Sequence, residues 1–210
     1  MRTILACVSL GLVSLSALIF VLLHVVDRRT DPIERTLSEY ALGSSGWLFP
    51  FAVFAVAAAA GLVAFVLRQR AAPVPALALI LLVVFAVAMV VTGIARTDAM
   101  DPRAGDFTMS LSGAVHASAG FIAIVSLCAA APMLTGTLAA HGASRVPATV
   151  AGWVPTSAAV VFVATVVARE PIHRLTGRVS LHGIGERFGF AGFLVWIAYA
   201  ALTLALARKP

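Results

Sequence analysis

The run AAPVPALALILLVVFAVAMVVTGIA, residues 71–95, passes twenty-five positions without a charged side chain. A helix rising about 1.5 Å per residue needs about 20 apolar residues to cover a hydrocarbon core of about 30 Å. This run is long enough to cross. Cutting the rest of the chain at its charged residues leaves five more such stretches, 3–26, 40–67, 107–144, 146–168 and 188–207. The longest is read as one span, because Pro132, Gly136, His141 and Gly142 break its end. The pattern predicts helices over 4–26, 47–67, 75–94, 110–134, 149–168 and 188–207, with Pro155 expected to kink the fifth. The fold class is all-α: a polytopic integral membrane protein, with residues 1–210 forming a single bundle of six transmembrane helices.

The totals agree. The chain is 61% hydrophobic and 11% charged, with a mean hydropathy of +1.02, whereas soluble chains average about 25% charged residues. A net charge of +6 does not mark a nucleic-acid binder, because the fifteen basic residues are scattered over every loop instead of gathering on one face. Fourteen of them are Arg and the chain has no Asn, the usage of a GC-rich bacterial genome. Cys7 and Cys128 both fall in apolar runs and read as small buried hydrophobes with no disulfide framework. The first apolar run has no small-residue cleavage pattern near its end, so it is expected to stay as a helix and not to be removed as a signal peptide.

Six crossings put both termini on one side. That side carries Arg2, Arg68, Arg70, Arg145, Arg208 and Lys209 and no acids; the other carries nine basic residues and all nine carboxylates. A count of Lys and Arg alone would place the acid-bearing loops inside. We assign the termini to the cytoplasm of a plasma membrane instead. The turns on their side are short and purely basic, and the opposing Arg residues have carboxylates to pair with. One internal echo exists, Asp31-Pro32-Ile33-Glu34-Arg35 against Glu170-Pro171-Ile172-His173-Arg174. It reads as a common way to leave a helix, an acid followed by proline, more than as a duplicated hairpin.

The acid-bearing side also gathers the candidates for chemistry. His24 sits in the last turn of the first helix, Ser38 and Glu39 before the second, and Asp98 after the third. His116 lies about two turns into the fourth, with Ser112 one turn earlier on the same face, and Glu186-Arg187 stand at the start of the sixth. A titratable side chain inside a span usually faces the bundle interior or a watery cavity. His116 fits either a cavity or a neutral hydrogen bond to a neighbouring helix, for which Gly113, Ala117 and Gly120 give room. Glu39 and Asp98 suit general bases, metal ligands or cation sites, and equally ion pairs with Arg35, Arg96 or Arg187. An acid at position 186 also complements a helix dipole. Arg187 suits bidentate capture of phosphate or carboxylate. Tyr40 and Trp47 read as interfacial anchors, Trp196 as packing, and His173 and His182 as solvated loop residues.

Familiar sites are missing. No H-E-x-x-H, G-x-S-x-G, Walker loop or C-x-x-C occurs, and the sequence requires no cofactor. Zinc held by His24, His116 and Asp98 is chemically permissible but has no ligand spacing behind it. The same holds for a bis-His haem between helices one and four.

Ser38-Glu39-Tyr40-Ala41 followed by Gly43 and Trp47, then Thr97-Asp98, His116, Gly185-Glu186-Arg187 and Trp196, resembles a six-helix membrane family catalogued as domain of unknown function 998. The resemblance spans nearly the whole chain. It implies one six-helix domain with Ser38, Glu39, Asp98, His116 and Glu186-Arg187 as its polar positions, and it brings no activity.

The leading functional expectation is a polar pocket at one membrane face, on the extracytoplasmic side, binding a small ligand or lipid headgroup. His24, Ser38, Glu39, Asp98, Ser112, His116, Glu186 and Arg187 would line it, with Arg187 on an anionic group. A membrane-embedded metal hydrolase acting on a lipid is the first alternative, with Glu39 or Asp98 joining His24 and His116 to hold a metal and activate water, and Glu39, Asp98 and His116 as the catalytic candidates. A non-catalytic accessory subunit of a membrane complex is the second. Expected partners are membrane lipids, with a membrane-protein partner or a second copy of the chain.

Overall fold

A computed structural model describes residues 1–69, 73–99, 109–176 and 180–207, with the backbone alone at 169, 170, 172 and 173. Its helices are α1 Arg2–Val26, α2 Leu48–Arg68, α3 Ala76–Ile94, α4 Leu111–Met133, α5 Thr135–Ala140, α6 Arg145–Val167, α7 Arg169–Thr176 and α8 His182–Leu206. A 3-10 turn, Ser38–Leu42, precedes α2. Six of these helices, α1, α2, α3, α4, α6 and α8, are long and apolar enough to cross a membrane. The all-α six-span bundle expected from the sequence is the observed architecture.

The spans close into a ring, α1 on α2, α2 on α3, α3 on α4, α4 on α6, α6 on α8 and α8 on α1. Because lipid is as apolar as leucine, such helices associate through close fit and polar contacts more than through burial of apolar surface. The packing shows this. On α1 the inward stripe is Ala6, Ser9, Val13, Ser16, Phe20 and Leu23, while Leu18 and Val21 face outward. Ser9 Oγ donates to the Ala59 carbonyl of α2 at 2.9 Å. On α8, Gly185, Gly189 and Gly192 recur every three to four residues toward α6. A Cβ at 185 would overlap the Thr165 hydroxyl, and one at 192 would crowd Ala158 at 2.6 Å.

Three elements differ from expectation. α8 begins at His182, six residues before the charge pattern placed it. Glu186 and Arg187 therefore lie in its second turn, already among neighbouring elements, and not at a solvated start. Between α4 and α6, Pro132 ends α4 one residue later and the chain forms α5 instead of an open loop. Proline cannot donate to the carbonyl four residues back, which is Cys128, and Thr156 of α6 donates to it instead at 3.2 Å. α7 occupies what the sequence suggested was loop. The two echo segments also part company. Asp31 Oδ1 accepts from Ile33 N–H at 2.8 Å to close a turn, while residues 170–174 are helical within α7.

Carboxylates described by the structure, Asp27, Asp31, Glu34, Glu39, Asp98 and Glu186, all belong to the end where α1, α3 and α6 finish and α2, α4 and α8 begin. We call this the polar end. Arg70, Asp101, Arg103, Asp106, Arg178, Arg208 and Lys209, which also entered the charge partition, lie outside the described residues, as do the side chains of Arg169, Glu170 and His173.

Candidate functional site

Two polar assemblies share the polar end. The first is built where the segment after α1 returns across the start of α8. Gly183 allows that approach, since a Cβ there would overlap the Arg35 carbonyl oxygen, and Ile184 N–H donates to Ile33 O at 3.2 Å. Arg187, one turn on, reaches back into the gap. Its Nε donates to His24 Nε2 at 2.7 Å, and its Nη1 donates to the Arg35 and Gly183 carbonyls, both at 2.8 Å. The guanidinium lies over the Tyr40 ring, 5.4 Å from its centroid, a cation–π contact. His24 is fixed at both nitrogens, since Nδ1 lies 2.6 Å from the Phe20 carbonyl. A carbonyl only accepts and Arg Nε–H only donates, so His24 carries its proton on Nδ1 and accepts at Nε2.

Glu39 belongs to the same assembly. Its carboxylate accepts from Thr36 N–H at 2.8 Å and Thr36 Oγ1 at 3.3 Å, and pairs with Arg35 at 3.1 Å. It ties the 3-10 turn back to Thr36, and of its suggested roles the ion pair with Arg35 is observed. Tyr40, expected at the interface, is 1% exposed beneath Arg187 and His24. Its aromatic face lies against the part-buried Arg187 cation. Trp47 is exposed and Trp196 is buried.

The second assembly is hollow. A cavity of about 460 Å³ lies between α1, α2, α3, α4, α6 and α8, roofed by residues 36–38 and 97–98. Its walls are apolar: Phe20, Phe49 and Val53 on one side, Phe121 and Ile124 of α4 and Phe162, Val163 and Val166 of α6 on others. Polar lining is confined to Thr36, Ser38, Thr92, Thr97, Asp98, His116, His182 and Glu186. α4 and α6 touch near α5, where a Cβ at Gly152 would meet Thr135 and Ala131. Toward the polar end they face each other across the hollow. Phe121 is 66% exposed and Val163 53% exposed there, so the cavity opens sideways between these two helices, toward the hydrocarbon.

Each polar side chain of the roof is tethered. Asp98 sits on the first turn of α4, accepting from Ser110 N–H and Ser110 Oγ at 2.7 Å each, while Ser110 Oγ caps Gly113 N–H at 3.0 Å. Gly113 leaves the space, since any Cβ there would overlap the Asp98 carboxylate. His116 Nδ1 lies 2.9 Å from the Ala95 carbonyl, which ties α4 to the end of α3. This is the interhelical hydrogen bond expected as one of its two readings, and its ring also borders the cavity. Ser112 makes a parallel tie, accepting from Arg96 N–H at 2.7 Å and donating to Arg96 O at 3.0 Å. Glu186 accepts from Leu37 N–H, with the Ser38 amide beside it.

Of the residues singled out from the sequence, Ser38, Asp98, His116 and Glu186 meet in one cavity wall, and His24, Glu39, Ser112 and Arg187 do not line it. His182 opens α8 with its ring 5.2 Å from that of Phe162, in place of the solvated loop position expected. Thr36, Thr92 and the apolar walls were not marked by any motif. Among the described residues no three His, Cys, Asp or Glu side chains are grouped to hold a metal ion.

The model for "Protein of unknown function (DUF998)" matches residues 10–203, so the chain belongs to that family. No curated protein and no solved structure matches the chain.

Proposed function

From membership in a family that brings no activity with it, we propose that this protein binds a single-chain amphiphile drawn from the bilayer. The chain lies in the apolar cavity and the polar end sits under the roof of Ser38, Asp98, His116 and Glu186. One observation carries the reading: the hollow is apolar along its walls, polar only at one end, and open toward lipid between α4 and α6. Its volume of about 460 Å³ lies within the ~300–1,000 Å³ of small-molecule pockets.

Arg187 is a brace in this reading and not an anion grip, because its Nε and Nη1 are directed to His24, Arg35 and Gly183 and the residue, whose Nη2 is buried without a partner, does not line the hollow. A metal hydrolase loses support, since His24 and His116 serve separate assemblies. The polar end is placed outside a plasma membrane, with the termini cytoplasmic. Arg35 and Arg187, two basic residues that count against that orientation, are held by Glu39 and His24, which favours reading them as structural partners.

Gly120 provides the test. It lines the cavity, and a Cβ there meets nothing within 4 Å. Gly120→Phe should fill the hollow without displacing a neighbour. Mass spectrometry of lipid extracted from purified protein should find a single-chain amphiphile retained by the wild type and depleted in the variant. Identical lipid profiles from the two would refute the reading.

A further inference from the structure

The roof is rich in hydrogen-bond acceptors. Thr92 Oγ1–H donates to the Ala88 carbonyl at 2.9 Å, and Thr36 Oγ1 and Thr97 Oγ1 lie within reach of Glu39 and the Asp98 carbonyl. Ser38 Oγ lies between Thr36 Oγ1 at 3.1 Å and Thr97 Oγ1 at 3.5 Å, and in each contact either hydroxyl can donate. His116 gives its Nδ1 proton to Ala95, which leaves Nε2 of the neutral ring as an acceptor. Asp98 already takes both of its hydrogen bonds from Ser110 and can only accept. Glu186, whether or not it carries a proton, keeps acceptor oxygens at the cavity. Among the described residues the hollow is lined by the carboxyl groups of Asp98 and Glu186 and by no Lys or Arg.

We infer that the ligand's polar end is a hydrogen-bond donor, neutral or cationic, so that the protein selects long-chain alcohols or amines over anionic lipids. A hydroxyl or ammonium can donate to the carboxyl oxygens of Asp98 and Glu186. A carboxylate or phosphate brings only more lone pairs, and it would sit against Asp98 and Glu186 where little water screens the repulsion. This inference rests on the cavity reading proposed above and adds the chemistry of the head.

Dodecylamine, dodecan-1-ol and dodecanoate share one chain and differ only at the head, and each can be titrated into the full-length protein in phosphatidylcholine nanodiscs. Binding is read by native mass spectrometry. The amine and alcohol should bind about tenfold or more tightly than the carboxylate, and Gly120→Phe should abolish binding of all three. Glu186→Gln turns one roof acceptor into a donor and should narrow the gap. Equal affinity of the three probes, each lost in Gly120→Phe, would overturn the donor rule and leave the cavity reading standing. Binding unaffected by Gly120→Phe, or no binding by the wild type, would overturn both. A gap unchanged in a folded Glu186→Gln protein would contradict placing the selectivity in this roof. The wild-type comparison needs no variant at all.

Discussion

The two polar assemblies at one end of the bundle use the same residue types in opposite ways. Around Arg187 three donated hydrogen bonds are returned by His24, Arg35 and Gly183, an aromatic ring covers the cation, and nothing of the group lines the cavity. Around the hollow, the carboxyl groups of Asp98 and Glu186 and the His116 ring border open space, with no Lys or Arg among the described lining residues. A titratable residue in a membrane span is usually read as functional. In our reading the distinction lies in whether the group lines the hollow or is built into the docking of the loop after α1 on α8. The closed assembly holds the loop after α1 onto α8, and that docking sets the roof over the open one.

Removing the brace should have the largest effect. Arg187→Ala strands His24 Nε2 and the Arg35 carbonyl, and should cost about 3 kcal/mol or more, seen as a lowered thermal unfolding midpoint in detergent. Arg187→Lys should recover only part of this, since an ammonium cannot reproduce the planar fork. An unchanged midpoint in Arg187→Ala would erase the contrast between the assemblies. Gly120→Phe should do the reverse and leave the midpoint near that of the wild type while ligand retention falls. Large destabilisation there would mean that the hollow is not free space.

Smaller effects sharpen the comparison. Ser110→Ala removes the cap of α4 and one partner of Asp98, and should cost about 1 kcal/mol, with ligand selectivity loosened because Asp98 loses its anchor. Selectivity unchanged in Ser110→Ala would separate the cap from the roof. Thr156→Val deletes the bond that stands in for the amide missing at Pro132. At about 0.6 kcal/mol, the mean for interhelical hydrogen bonds in membranes, it should lower the midpoint slightly. Hydrogen exchange should then rise around Cys128, and protection unchanged there would show that the α4–α6 contact does not depend on it.

The spans were legible because charge is excluded from hydrocarbon. A cut at charged residues therefore approximates a cut at the membrane surface. It failed at α8, where Glu186 and Arg187 are accommodated by partners from the loop after α1 and the helix starts six residues before the charge pattern ends. Half of the proposed site was legible for a related reason: Asp98, His116, Ser38 and Glu186 stood out as polar groups near one end of apolar runs. Sequence position could not say which of them would face a void. His24 and Arg187 meet each other 163 residues apart, and only the folded chain shows that this meeting removes them from the site. Tyr40 misled for the same reason, since an aromatic beside a span suggests an interface unless a part-buried cation covers its face. The apolar walls carried no signal, because residues lining a cavity and residues facing lipid have the same composition.

The most direct measurement is photo-crosslinking with a fatty alcohol carrying a diazirine midway along its chain, in nanodiscs, with the labelled residues mapped by mass spectrometry. The account predicts label on cavity residues such as Phe121, Phe162 and Val163 that is lost in Gly120→Phe. Label confined to outward-facing residues such as Leu18 and Val21, and indifferent to Gly120→Phe, would contradict it.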